Sequence, residues 1–175
     1  MPKGKKVLKR VERVLSLFNW YEPLPEPVPR VGGHLAPFAS RDGILALEKI
    51  VESIAEDDWE DLFPITHLFA NGVCSREMSM PKGSIVVSRV HKNACINVIS
   101  RGRVSVLTEE GEEMYTAPYT FVSPAGTKRG LVAYEDTVGA NFIRTDETDP
   151  EKILDDMTFA TFEEFEKYNT MRLEN

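Results

Sequence analysis

Four residues in this chain have the chemistry and spacing to form a site. Arg89, His91 and Cys95 fall within residues 83–102, and Arg129 ends the short run from Pro124, with Lys128 beside it. An arginine stays protonated at any relevant pH and presents a planar fork of donors that matches a carboxylate or phosphate. The plainer alternative is that each arginine pairs with an acidic neighbour such as Glu77, Glu135 or Asp136 and holds the fold together. His91 and Cys95 are candidate metal ligands as imidazole and thiolate. The chain has only His34, His67 and His91, so no dense histidine cluster is available, although His67 on a neighbouring strand leaves a rearranged His/Cys site open.

The order of these residues resembles the signature motifs of the cupin superfamily. In the first motif a glycine precedes His-x-His, then a Glu, then a closing Gly. Gly83 and Gly102 fill the glycine positions, and Arg89, His91 and Cys95 stand where metal ligands would be. The second motif, Pro-x-Gly-x-x-His, is matched by Pro124, Gly126 and Arg129, with arginine again in a ligand position. The resemblance implies a jelly-roll barrel that has kept its frame and lost its metal, with no cofactor. Its motif positions face the cavity, so Arg89, His91, Lys128 and Arg129 would line a cationic pocket for an anionic small molecule. Metal-free sugar-nucleotide epimerases of the superfamily use a His with a carboxylate and a Tyr. His91, Tyr134 and Asp136 supply those types here, as do Tyr119 and Glu135, but as common strand-end and turn residues too.

Residues 67–156 also resemble small cupin-like proteins common in tailed-phage genomes. The resemblance is carried by Asn71-Gly72-Val73, Arg76-Glu77, Pro81-Lys82-Gly83, His91-Lys92, Gly102-Arg103, Ala117-Pro118, Pro124 to Arg129, Ala133, Glu135-Asp136-Thr137 and the run from Thr145 to Ile153. Gly139 and Arg144 depart from that pattern, standing in place of an aromatic residue and a second histidine. It implies a viral accessory or virion protein, in the host cytoplasm or the particle. The expected function is non-catalytic binding of an anion, including sequestration of a nucleotide-type signal. The alternatives are a structural virion component and a metal-free isomerase or epimerase.

The elements that must position these residues are mostly strands. From Ile65 to Thr145, β-rich segments alternate with turn signals at Asn71-Gly72, Pro81 to Gly83, Arg101-Gly102, Glu110-Gly111 and Ala125-Gly126. Eight or nine short strands predict a mainly β jelly roll over residues 65–145. Within residues 83–102, two β-branched runs around Lys92 and Asn93 read as a strand pair. Residues 1–31 combine a basic amphipathic helix with a proline-rich extended arm, and residues 32–64 form a helical segment with Ser40 as N-cap. Trp59, Leu62 and Phe63 are expected to anchor a barrel mouth or an interface. Residues 146–175 return to helix, with starts at Asp149-Pro150 and Thr161.

A chain of 175 residues accommodates one domain with appendages. The net charge of −7 argues against a protein that coats nucleic acid, which leaves the basic N-terminal helix as the only expected nucleic-acid contact. The same arm could instead reach virion proteins or a second copy in a homo-oligomer. No run approaches the length of a membrane span, so no membrane is expected as a partner. The two cysteines, Cys74 and Cys95, fall on separate expected strands, which suits a reducing compartment.

Overall fold

The computed structural model describes residues 35–54 and 63–173. The expected helix and arm of residues 1–31, together with His34, Trp59 and Leu62, lie outside the described residues.

Period-two patterning folds most of residues 65–144 into antiparallel strands: β1 (Ile65–Ala70), β2 (Val73–Met80), β3 (Ile85–Val87), β4 (Val90–His91), β5 (Cys95–Arg101), β6 (Arg103–Thr108), β7 (Gly111–Thr116), β8 (Tyr119–Ser123), β9 (Gly130–Ala133) and β10 (Thr137–Arg144). One sheet runs in the order β1-β2-β10-β5-β8 and a second in the order β3-β9-β6-β7. Without β1, each sheet has four strands and, apart from the β6–β7 hairpin, pairs strands distant in sequence, which is the winding of two Greek keys in a jelly roll. The fold is therefore mainly β and cupin-like, with helices at its flanks. The sheets face each other across a core to which Met80 and Ile99 contribute from one side and Val86, Val104, Val106 and Ala133 from the other. Phe63 is buried in that same core, so it anchors the barrel from within.

Helix α1 (Arg41–Ile54) begins where the Ser40 hydroxyl accepts the Gly43 amide at 3.0 Å. Its apolar face, Ile44, Leu47 and Val51, packs with Ile85, Leu107 and Val132 of the four-stranded sheet. Burying each of these side chains is worth roughly 1.5–3 kcal/mol, which makes α1 an integral layer. The C-terminal segment covers one end of the barrel. There Ile153 and Met157 of α2 (Ile153–Met157) join Cys74, Cys95 and Ile143, and β11 (Thr158–Phe159) pairs with β4. Helix α3 (Phe162–Leu173) starts with a capping box: Thr161 Oγ1 accepts the Glu164 amide at 3.2 Å, and the Glu164 carboxylate accepts the Thr161 amide at 3.3 Å.

The strand pair expected within residues 83–102 does not form. Its first run breaks at Ser88 and Arg89 into β3 and β4, with β3 beside β9 in one sheet and β5 between β10 and β8 in the other. The broken stretch pairs instead with the loop before β9. Ser88 N donates to Arg129 O at 2.8 Å, His91 N to Thr127 O at 2.9 Å and Gly126 N to His91 O at 2.7 Å. A run of β-branched residues reads alike in a hairpin and in a crossover between sheets, and here backbone partners distant in sequence decide the outcome. The return from β5 to β6 depends on Gly102. It takes φ +83°, and an added Cβ would lie 2.5 Å from the Asp136 carbonyl oxygen.

Candidate functional site

Residues directly opposite one another in an antiparallel pair face the same side of the sheet. His67 is opposite Arg76, Arg76 opposite Asn141, Asn141 opposite Asn97, and Asn97 opposite Phe121. These positions form one row across the five-stranded sheet, on its inner face. The neighbouring inner positions are Cys74, Ile143 and Cys95 on one side and Met78, Gly139 and Ile99 on the other. A polar band, joined at β8 by Ser123 opposite Cys95, therefore crosses an otherwise apolar wall.

That band forms one side of a cavity of about 260 Å³ between the sheets. Arg76, Asn97, Asn141 and Phe121 line it from the row, Val86, Leu131 and Arg129 from the opposite side, and Arg89, His91, Leu154 and Met157 near the covered end. The backbone bonds between β4 and the loop before β9 bring His91 beside Arg129.

Arg129 is buried, at 4% exposure, and its partners are all neutral. Nη1 donates to Asn97 Oδ1 at 3.0 Å and to Ser123 Oγ at 2.7 Å, and Nη2 donates to His91 Nε2 at 3.0 Å. Asn97 is itself held by the Asn141 amide and donates to Ser123 Oγ at 3.0 Å. The Arg129 Nε has no partner, and no carboxylate pairs with this guanidinium among the described residues. Its charge is stacked over Phe121 at 5.7 Å. Arg76 is half-buried on the cavity wall, and burial lowers its pKa below the usual arginine value. It too has no ion pair among the described residues.

The guanidinium determines the state of His91. Because an arginine only donates, Nε2 must accept, so the proton sits on Nδ1 and is directed at Cys95 Sγ, 3.2 Å away. Burial first, then the charges of Arg129 and Arg76, push the imidazole down to about 3. Burial likewise raises the Cys95 thiol above its ordinary value, so it remains protonated. A metal does not fit these residues. The His91 lone pair is engaged by a fixed cation, Cys95 is a thiol, and no cluster of three His, Cys, Asp or Glu exists among the described residues.

The other candidates are dispersed. Arg89 lines the cavity but pairs with Asp155 at 2.7 Å, not with Glu77, Glu135 or Asp136. Lys128, expected among the ligand-binding residues, points away from the cavity and is buried against α1, with Nζ 2.5 Å from Glu48 Oε1. Tyr134 packs against the cluster under α1, and Asp136 is exposed and accepts the Lys82 amide at 2.9 Å. The structure therefore does not bring Tyr134 or Asp136 to His91. His67 shares the polar row but sits on the edge strand, stacked on Phe69.

Arg76, Asn97 and Asn141 were missed as site residues, although the sequence carries a signal for them. Each is a polar residue in phase with apolar inward positions of its own strand: Cys74, Met78 and Met80 in β2, Cys95 and Ile99 in β5, and Ile143 in β10.

No protein-family model matches the chain, and no curated protein matches it. Solved structures do, and several of them are described as cupins. A cupin superfamily protein from Desulfitobacterium hafniense is 14% identical over 54% of this chain and 86% of its own, with a TM-score of 0.45. A cupin 2 domain-containing protein from Halorhodospira halophila is 13% identical over 57% and 77%, with a TM-score of 0.44. An acetylacetone dioxygenase from Acinetobacter johnsonii is 12% identical over 46% and 58%, with a TM-score of 0.40. None of these likenesses assigns a ligand or an activity to this chain.

Proposed function

We propose that this protein is a non-catalytic binding module that holds an anionic small molecule in its barrel. The observation that carries this reading is the Arg129 guanidinium, buried on a cavity wall with only neutral partners among the described residues. Burying an uncompensated charge costs several kcal/mol, and an anion entering the cavity supplies the missing counter-charge. Arg76 adds a second cation to the same wall, and Arg89 a third that is already engaged by Asp155. Catalysis by His91 is disfavoured because its lone pair accepts from Arg129, which leaves no free base lining the cavity among the described residues. In the setting implied by the phage resemblance, such a protein would withdraw an anionic metabolite from the host cytoplasm. A nucleotide-type signal is one member of that class.

Native mass spectrometry of gently purified protein, followed by release and identification of small molecules, tests the reading. A retained organic anion supports it. Calorimetry with phosphates, carboxylates, nucleotides and a host-cell extract that showed no binding would end it.

A second reading, a structural component that assembles through the barrel, is favoured by a different surface. Leu68, Phe142, Ile96 and Val122 are exposed and align in register with Ser75 across the outer face of the five-stranded sheet. Pairing that face with a second copy would bury it. A strictly monomeric protein in light scattering at high concentration removes this reading.

A further inference from the structure

We infer that the ligand is a single-headed organic anion, a carboxylate or phosphate monoester, whose head lies on the Arg76–Arg129 band and whose body is apolar. This rests on the anion-binding reading and narrows its chemistry. The polar band is one residue row deep. Adjacent inner rows lie two residues apart along each strand, roughly 6–7 Å. One anionic head spans the band, and a second charge on the same molecule would fall against Met78 and Ile99 on one side, or on the other against Ile143, Leu154 and Met157, where Arg89 is already engaged by Asp155. A charged group stripped of water against such walls has nothing to offset its desolvation.

The remaining walls point the same way. Val86 and Leu131 face the band from the opposite sheet, and Leu154 and Met157 line the covered end beside a neutral His91 and an Arg89 already paired with Asp155. Phe121 holds its ring under the Arg129 guanidinium, so an apolar body beside the head meets carbon on several sides. The volume of about 260 Å³ also bounds the ligand. It lies just under the range of roughly 300–1,000 Å³ typical of drug-sized pockets, which suits a compact acid rather than an extended nucleoside polyphosphate.

The test is calorimetry on the full chain with acetate, butyrate and hexanoate, with inorganic phosphate and butyl phosphate, and with a nucleoside diphosphate. Affinity should rise roughly three- to fourfold per added methylene from acetate to butyrate, the increment expected for burying each group. Butyl phosphate should outbind phosphate, and whichever head series is tighter identifies the head. Arg76→Gln should weaken every member of the tighter series by a similar factor, at least tenfold, with the melting temperature measured alongside. Equal affinity for acetate and hexanoate, or tighter binding of the nucleoside diphosphate than of any acid, overturns the inference but leaves anion binding standing. An unchanged series in Arg76→Gln overturns the placement of the head. No binding of any probe overturns both this inference and the reading beneath it.

Discussion

The Arg129 guanidinium donates from Nη2 to His91 Nε2 at 3.0 Å, occupying the imidazole lone pair that a metal or an abstracted proton would need. One cation thereby determines the tautomer of the histidine and the orientation of its remaining N–H toward Cys95, and it adds to the burial that keeps the ring neutral. What these residues present to the cavity is positive charge.

Replacing Arg129 should therefore abolish anion binding without abolishing the fold. In Arg129→Met, Asn97, Ser123 and His91 each lose a donor, but Asn97 keeps the Asn141 amide and Ser123 the Asn97 amide, so only His91 Nε2 is left unsatisfied, at about 1–3 kcal/mol. Relief of the buried charge offsets this by several kcal/mol. Urea denaturation should show a small net change, while calorimetry with the tightest-binding acid shows loss of binding. Arg129→Lys should also bind poorly, because a lysine lacks the planar fork.

Acid should weaken the fold through His91. Its native value is depressed to about 3, against about 6.5 in the unfolded chain, so the unfolded state binds the extra proton between these values. The contribution of the neutral imidazole is fully present above about pH 6.5 and is lost as pH falls toward 3, at up to about 1.4 kcal/mol per unit. Urea midpoints at pH 7.5, 6 and 4.5 should fall more steeply for the native protein than for His91→Gln. Parallel slopes would refute the assignment.

Both thiols should resist modification in the native state. Cys74 and Cys95 are buried and free, and burial raises each above the ordinary thiol value. A colorimetric disulfide reagent at pH 7.5 should titrate neither thiol at first, and both after addition of denaturant. Rapid reaction of Cys95 in the folded protein would mean that the path past His91 is open.

The ion pair between Arg89 and Asp155 should restrain binding while adding little stability. Asp155 is largely exposed, and such pairs contribute at most about 1 kcal/mol. Asp155→Asn should leave the melting temperature nearly unchanged and tighten anion binding severalfold by releasing Arg89 at the cavity. Weaker binding in this variant would instead show that Asp155 positions Arg89 for the ligand.

Gly102→Ala should be among the most damaging single-atom additions. Its positive φ and the approach of the Asp136 carbonyl oxygen together predict a loss of about 2–3 kcal/mol, read from the urea midpoint.

Much of the fold is written locally. The β10 strand, the Ser40 cap of α1 and the Thr161 start of α3 follow from period-two alternation and capping chemistry, which act between residues close in the chain. His91 and Arg129 stand out for the same reason, as polar residues at marked spacing. Side-chain direction was not determined locally. Lys128 and Arg129 are adjacent cations, yet one is buried against Glu48 under α1 and the other lies on the inner cavity wall. Successive residues at the entry to β9 point to opposite sides, and which side is inner depends on pairing with β3 and β6. The polar row of Arg76, Asn141 and Asn97 likewise exists only once β2, β10 and β5 lie side by side. Sequence alone determined most of the strands, their turns and the cationic residues available, but not the break between β3 and β4. Tertiary structure decided which cations share a cavity, because register between strands distant in the chain sets the face each side chain occupies.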